Sequence, residues 1–163
     1  MIIDFNIPSR TFPLRLGPVR SVDRAVLRPF SGALIADAFW RAFHRPEDPV
    51  PIAVLRGQDR HLYWFGGFSG LREEGAVSVR VLRASWAEDW VRRAMWHEAI
   101  SAHGVACEEI GRWCTAIHRE VPEDMRAWLF PRGLTQVAVA QMFRVTRQTA
   151  AKYMPAKASG RDG

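Results

Sequence analysis

The chain has little cysteine and no long apolar run. Only two cysteines, Cys107 and Cys114, occur among its 163 residues. They fall seven positions apart on what reads as one helix, too far apart around a rigid rod to bridge each other, so no disulfide framework is expected. No stretch of eighteen apolar residues is present and no charged-then-apolar leader opens the sequence. The chain therefore reads as a soluble, cytoplasmic protein with no membrane partner. A Gly-x-Ser-x-Gly elbow, a Walker loop and an H-E-x-x-H helix are all missing, as are internal repeats and low-complexity segments. His103, Cys107, Cys114 and His118 recur at helical spacing. Zinc sites, however, draw their ligands from a knuckle or from two elements rather than one straight helix. Free thiols are expected instead, with no metal and no cofactor. The acidic pairs Glu73-Glu74, Glu108-Glu109 and Glu123-Asp124 sit at expected helix ends and read as solvated faces.

What is present argues for a folded protein with a basic end. Apolar residues make up 48% of the chain and seven of its residues are tryptophan, which excludes a disordered polyelectrolyte. The net charge of +6 is unevenly placed. Residues 1–30 carry five arginines against Asp4 and Asp23, whereas residues 31–130 carry twelve basic and fourteen acidic groups. Residues 131–163 carry six basic groups against Asp162 alone. An excess of that kind is the footprint a phosphate-binding segment would leave.

The basic end contains the most informative stretch, residues 134–154, Leu-Thr-Gln-Val-Ala-Val-Ala-Gln-Met-Phe-Arg-Val-Thr-Arg-Gln-Thr-Ala-Ala-Lys-Tyr-Met. It reads as two short helices around a tight turn. Val139, Ala140 and Phe143 share one face of the first helix, and Ala150 and Tyr153 share a face of the second, with Val145 between them. Ala140 is small where two helices must cross closely. Thr135 and Thr146 are placed as N-caps. Outside on the second helix stand Arg147, Gln148, Ala151 and Lys152, side-chain types that reach base edges or phosphates in a major groove. A plain helical hairpin would not need such a set.

These residues resemble the helix-turn-helix of bacterial regulators and of the ParB family of partition proteins, whose pattern runs roughly L-T-Q-x-x-[VI]-A-x-x-[LF]-G-V-[ST]-R-x-T-[VA]-x-x-[YL]. Two positions depart from it. Arg144 stands where glycine is usual, at a turn position that often needs positive φ, and Ala150 replaces a larger Val or Ile. The resemblance implies double-stranded DNA as partner. Arg147, Gln148, Ala151 and Lys152 would then lie at the bases, and Gln136, Arg144, Thr146 and Thr149 at the phosphates. Lys152 has a second expected use, on the backbone.

Upstream, residues 1–18 read as extended and broken by Pro8, Pro13 and Pro18. A strand is expected over 19–27. Ser31 is placed to cap a helix over 32–44, with Leu34, Ile35, Ala38, Phe39 and Phe43 on its buried face. Strands follow over 51–55, 61–65 and 76–82, separated by a Gly57-Gln58-Asp59 turn, a run Gly66-Gly67-Phe68-Ser69-Gly70 and a brief helix over 71–74. The capping box Ser85-Trp86-Ala87-Glu88 opens a helix to about residue 102, stopped by His103-Gly104. Trp86 and Trp90 on it read as core or subunit contact. Helices are expected over 107–120 and 122–130.

This order resembles the ParB-like proteins again, whose N-terminal domain shares its fold with sulfiredoxin. The likeness rests on Pro51-Ile52-Ala53-Val54-Leu55, Leu62-Tyr63-Trp64-Phe65-Gly66-Gly67, Leu71-Arg72 and Val77-Ser78-Val79, with His103-Gly104 matching an "H-G" ending. It implies an α+β fold: a small mixed-sheet ParB/sulfiredoxin-like domain over 1–84, a helical domain with the helix-turn-helix over 85–155, and a basic tail over 156–163. The family's G-x-R-R nucleotide box is reduced to Arg72, so nucleotide-driven clamping is expected to be lost. The position of sulfiredoxin's catalytic cysteine is Phe68, which removes the nucleophile for that chemistry. The sequence thus points to a non-enzymatic, sequence-specific DNA-binding protein acting as a homodimer, either a repressor or a plasmid-maintenance factor. Two other classes stand beside it. One is a nuclease or nucleotide hydrolase using Glu73, Glu74 and His61, and the other is a protein-interaction or inhibitor module.

Overall fold

The computed structural model describes residues 14–45, 48–83 and 88–156. Among these residues the fold is α+β, a five-stranded mixed sheet with six α-helices. The strands are β1 (Arg15–Asp23), β2 (Leu27–Pro29), β3 (Ile52–Arg56), β4 (Leu62–Gly66) and β5 (Ala76–Arg83). The helices are α1 (Ala33–Phe43), α2 (Glu88–Ala99), α3 (Ile110–Glu120), α4 (Glu123–Leu129), α5 (Gln136–Phe143) and α6 (Arg147–Tyr153). None of the helices is long and apolar enough to cross a membrane.

The strands lie in the order β1-β5-β3-β4-β2. β1 runs antiparallel to β5, and β3 antiparallel to β4. β3 runs parallel to β5, and β2 parallel to β4. The central strand explains its own composition: Ile52, Ala53, Val54 and Leu55 are all buried, as a strand covered on both faces requires. Pro18 is tolerated because β1 is an edge strand and its ladder is interrupted between Leu16 and Val19. β1 begins earlier than expected. β2, a three-residue strand reached through a 3₁₀ turn over Arg24–Val26, was hidden from periodicity by its shortness.

Two expectations about α1 need correction. Its N-cap is Gly32, with φ at 82°, and no side chain caps it, so Ser31 does not play that part. Leu34 and Ile35 are 63% and 52% exposed, while Ala33, Ala36, Asp37 and Phe39 are buried. The buried face is thus rotated from the apolar one, because Asp37 is drawn inward to bind Arg72 and Arg41. The brief helix after the glycine run is a 3₁₀ turn over Phe68–Arg72, ending before Glu73. α2 ends at Ala99. The capping residue Ser85, with Trp86, lies outside the described residues, as do residues 1–13 and 157–163 and hence most of the expected N-terminal extension and basic tail.

The buried apolar residues form one cluster from Leu14 to Ala150. Trp96 stacks edge-on to Phe39 at 6.5 Å, so α2 packs on α1. Trp113 of α3 sits at its helical end, its indole N–H donating to the Ile100 carbonyl at 3.1 Å. Phe130 and Phe143 meet the same ring edge-on at 6.1 and 5.2 Å. That ring is the peg on which α5 hangs. Burying an aromatic of this size contributes several kcal/mol by area alone, about 25 cal/mol per Å².

Candidate nucleic-acid interface

α5 and α6 are capped by the residues expected. Thr135 and Thr146 both have extended backbone, and their hydroxyls accept from Ala138 N–H and Thr149 N–H, each at 3.1 Å. Each cap is worth about 1 kcal/mol. Between the helices Arg144 adopts φ 53° and ψ 45°, the left-handed region. The chain therefore makes the glycine-type turn with an arginine, at a cost of about 1 kcal/mol. Val145 N–H then donates to the Ala140 carbonyl at 3.0 Å, closing the helix end. Val139 and Ala150 are fully buried, and Ala140 and Phe143 nearly so. α6 also crosses α3 closely: a Cβ on Gly111 would lie 3.0 Å from the Tyr153 carbonyl oxygen.

With Ala150 turned inward, Arg147, Gln148, Ala151 and Lys152 face solvent. Arg144 and Thr146 are exposed too, and Gln136 and Thr149 half-buried. Two pairs of these residues are brought together. Arg147 Nε donates to Gln136 Oε1 at 3.0 Å, joining the first residues of α5 and α6. The Thr146 and Thr149 hydroxyls lie 2.9 Å apart. Lys152 Nζ sits 5.1 Å from the centre of the Tyr153 ring. No aspartate or glutamate occurs in residues 131–156, so the charges this segment itself contributes are all positive.

The glycine run is built quite differently. Gly67 has φ 69°, and a Cβ there would stand 2.3 Å from the Pro51 carbonyl oxygen, so no other residue fits. Its N–H donates to both carboxylate oxygens of Glu98, at 2.9 and 3.0 Å. The Phe68 N–H bonds to the same carboxylate. Burial pushes the Glu98 pKa up to about 7, the Gly67 and Phe68 N–H groups pull it down, and Asp37 raises it. Phe68 is fully buried against Trp40 and Trp64 at 6.2 and 6.4 Å. Arg72, the remnant of the arginine box, is hydrogen-bonded to Asp37.

Glu98 was missed by sequence reasoning, although a signal existed. Val91, Ala94 and Met95 define the buried stripe of α2, and position 98 continues it at helical spacing. An acid on that stripe needs donors, and the glycine turn supplies them. Glu73, Glu74 and His61, grouped in the nuclease reading, are not brought together. His61 precedes β4 while the glycine turn follows it, on the order of 17 Å away at about 3.3 Å per residue. His61 is instead held by Asp59, its Nδ1 3.2 Å from Oδ2. Among the described residues no three His, Cys, Asp or Glu side chains cluster as metal ligands would. Cys114 is buried and its thiol is pushed up to about 11 by that burial, which leaves it protonated, while Cys107 is half-buried.

No family model, no curated protein and no solved structure matches the chain.

Proposed function

We propose that the chain is a sequence-specific binder of double-stranded DNA, of ParB-like helix-turn-helix type, acting in the cytoplasm as a homodimeric transcriptional regulator or plasmid-maintenance factor. The observation that carries this reading is the outward row Arg147, Gln148, Ala151 and Lys152 on a helix whose Ala150 is buried behind it. α6 would enter the major groove from its N-terminal end. Arg147 suits a guanine edge and Gln148 an adenine edge, while Lys152 would serve the last base or the backbone. Gln136 holds Arg147 at 3.0 Å, which limits the rotamers the arginine must give up on binding. Arg144, Thr146 and Thr149 would take phosphates around the turn. A single module of this size buries little surface, so two copies on a palindrome are expected to share the site.

The α/β half supports a ParB/sulfiredoxin-like origin by its strand, glycine turn and 3₁₀ order, with the ligand chemistry removed. The turn's N–H groups are taken by the Glu98 carboxylate, which would repel a phosphate, and Arg72 is engaged by Asp37. Selection of bound oligonucleotides from a random pool at near-physiological salt tests the proposal. An enriched palindrome is the expected result. Failure to retain any duplex in a salt-dependent manner would overturn it.

The interaction-module reading keeps one observation of its own. Ile35, 52% exposed, borders an open groove of about 620 Å³ between α1 and α3. Elution with a protein partner and no DNA retention would favour that reading.

A further inference from the structure

The ribbon formed by β1 and β5 carries charge that the fold does not use. Its strands hold Arg15, Arg20, Arg80 and Arg83 against a single carboxylate, Asp23, whose Oδ1 already accepts from Ala25 N–H at 2.9 Å. Arg15 and Arg83 are direct partners across the antiparallel ladder, a like-charge juxtaposition that costs stability. Among the described residues no carboxylate pairs with any of the four arginines.

One of the four is held in place. Arg80 Nε donates to the Gly17 carbonyl at 2.8 Å. The Arg83 side chain lies over the same residue, close enough that a Cβ on Gly17 would be 3.3 Å from its Nε. Both therefore gather at the Gly17-Pro18 interruption of β1, beside Arg15. Arginines placed to keep an edge strand from pairing with another chain would be spread along the edge. Here Arg15, Arg83 and Arg80 lie toward one end of the ribbon and Arg20 near its middle, while Asp23, Glu73 and Glu74 lie toward the other end. Guanidinium groups paired across a ladder without a counter-charge suit a polyanion.

We infer that this end of the β1–β5 ribbon is a second phosphate-contacting surface, taking the backbone of double-stranded DNA. The inference rests on the DNA-binding reading and extends it from α6 to the sheet. The test compares the full chain with Arg15→Ala/Arg83→Ala and Arg15→Lys/Arg83→Lys. Each is titrated with the selected duplex and with a random duplex between about 50 and 200 mM salt.

The alanine pair should reduce the slope of log K against log salt by about two on both duplexes, because each lost phosphate contact removes roughly 0.9. The lysine pair should restore it, and base preference should stay as in the parent. An alanine pair with the parental slope would overturn the inference, as would loss of binding to phosphatidylserine vesicles with DNA binding unchanged. Lys152→Ala run alongside separates the two readings. A slope change from Lys152→Ala without one from the ribbon overturns only the ribbon. A change from the ribbon alone overturns the use of Lys152 on the backbone and leaves the ribbon standing. A parent without salt-dependent binding overturns both.

Discussion

Of the turns that pass through a left-handed residue, those at Gly67 and at Arg144 are finished in different ways. The first faces inward. Its backbone packs on Pro51, its N–H groups close on the Glu98 carboxylate, and only glycine fits. The second lies between α5 and α6 at an exposed arginine, in a stretch, residues 131–156, whose own sequence holds no acid. Both turns present backbone and charge of the kind that binds anions. One has its backbone donor taken by a carboxylate from across the fold, and the other has its donors taken by carbonyls of its own helix, Arg144 N–H by Gln141 and Val145 N–H by Ala140. In neither turn is the backbone left over for a ligand, so what the second offers an anion is side chains.

The comparison can be broken most sharply at Gly67. Gly67→Ala should cost roughly 3 kcal/mol or more in urea unfolding, because the added Cβ meets a carbonyl as well as a forbidden φ. A loss below about 1 kcal/mol would mean that the turn can move and is not packed shut.

Glu98 sharpens the same side through pH. Its pKa of about 7 in the fold lies above its ordinary 4.5, so the native state holds the extra proton between those values. The stability it contributes is fully present below 4.5 and is lost as pH rises through about 7. The decline is at most about 1.4 kcal/mol per pH unit. Glu98→Gln keeps an acceptor for the Gly67 N–H but cannot titrate. Chemical denaturation from pH 4.5 to 8 should therefore show the parent losing stability relative to this variant. Parallel curves would place the carboxylate in a solvated setting.

On the open side, Arg147→Ala should cost about 1–3 kcal/mol against the preferred duplex and relax base choice at one position. Lys152→Ala is expected to weaken all duplexes alike and to lower the salt slope by about one if it serves the backbone. Binding titrations in which both variants behave as the parent would remove α6 from the interface. The smallest effect belongs to Arg144→Gly. It relieves the left-handed strain and should stabilise the fold by about 0.5–1 kcal/mol in thermal unfolding, while removing one positive charge from the exposed turn between α5 and α6. A destabilised variant would show that the arginine side chain holds the turn through its own contacts.

Sequence alone determined the features whose causes are local. Thr135 and Thr146 cap their helices because a hydroxyl at the N-cap needs only the next turn of backbone, and Ala150 is buried because helical spacing puts it on the inner face. Tertiary structure decided the rest. The sheet order, the pairing of β2 with β4, the exposure of Leu34 and Ile35 and the bonding of Glu98 to the Gly67 turn all depend on residues distant in the chain. Glu98 and Gly67 stand 31 positions apart, and no local pattern reveals which carboxylate will find which donor. Hydrogen-bond satisfaction is settled in three dimensions: one turn finds its acceptor 31 positions away and the other within its own helix.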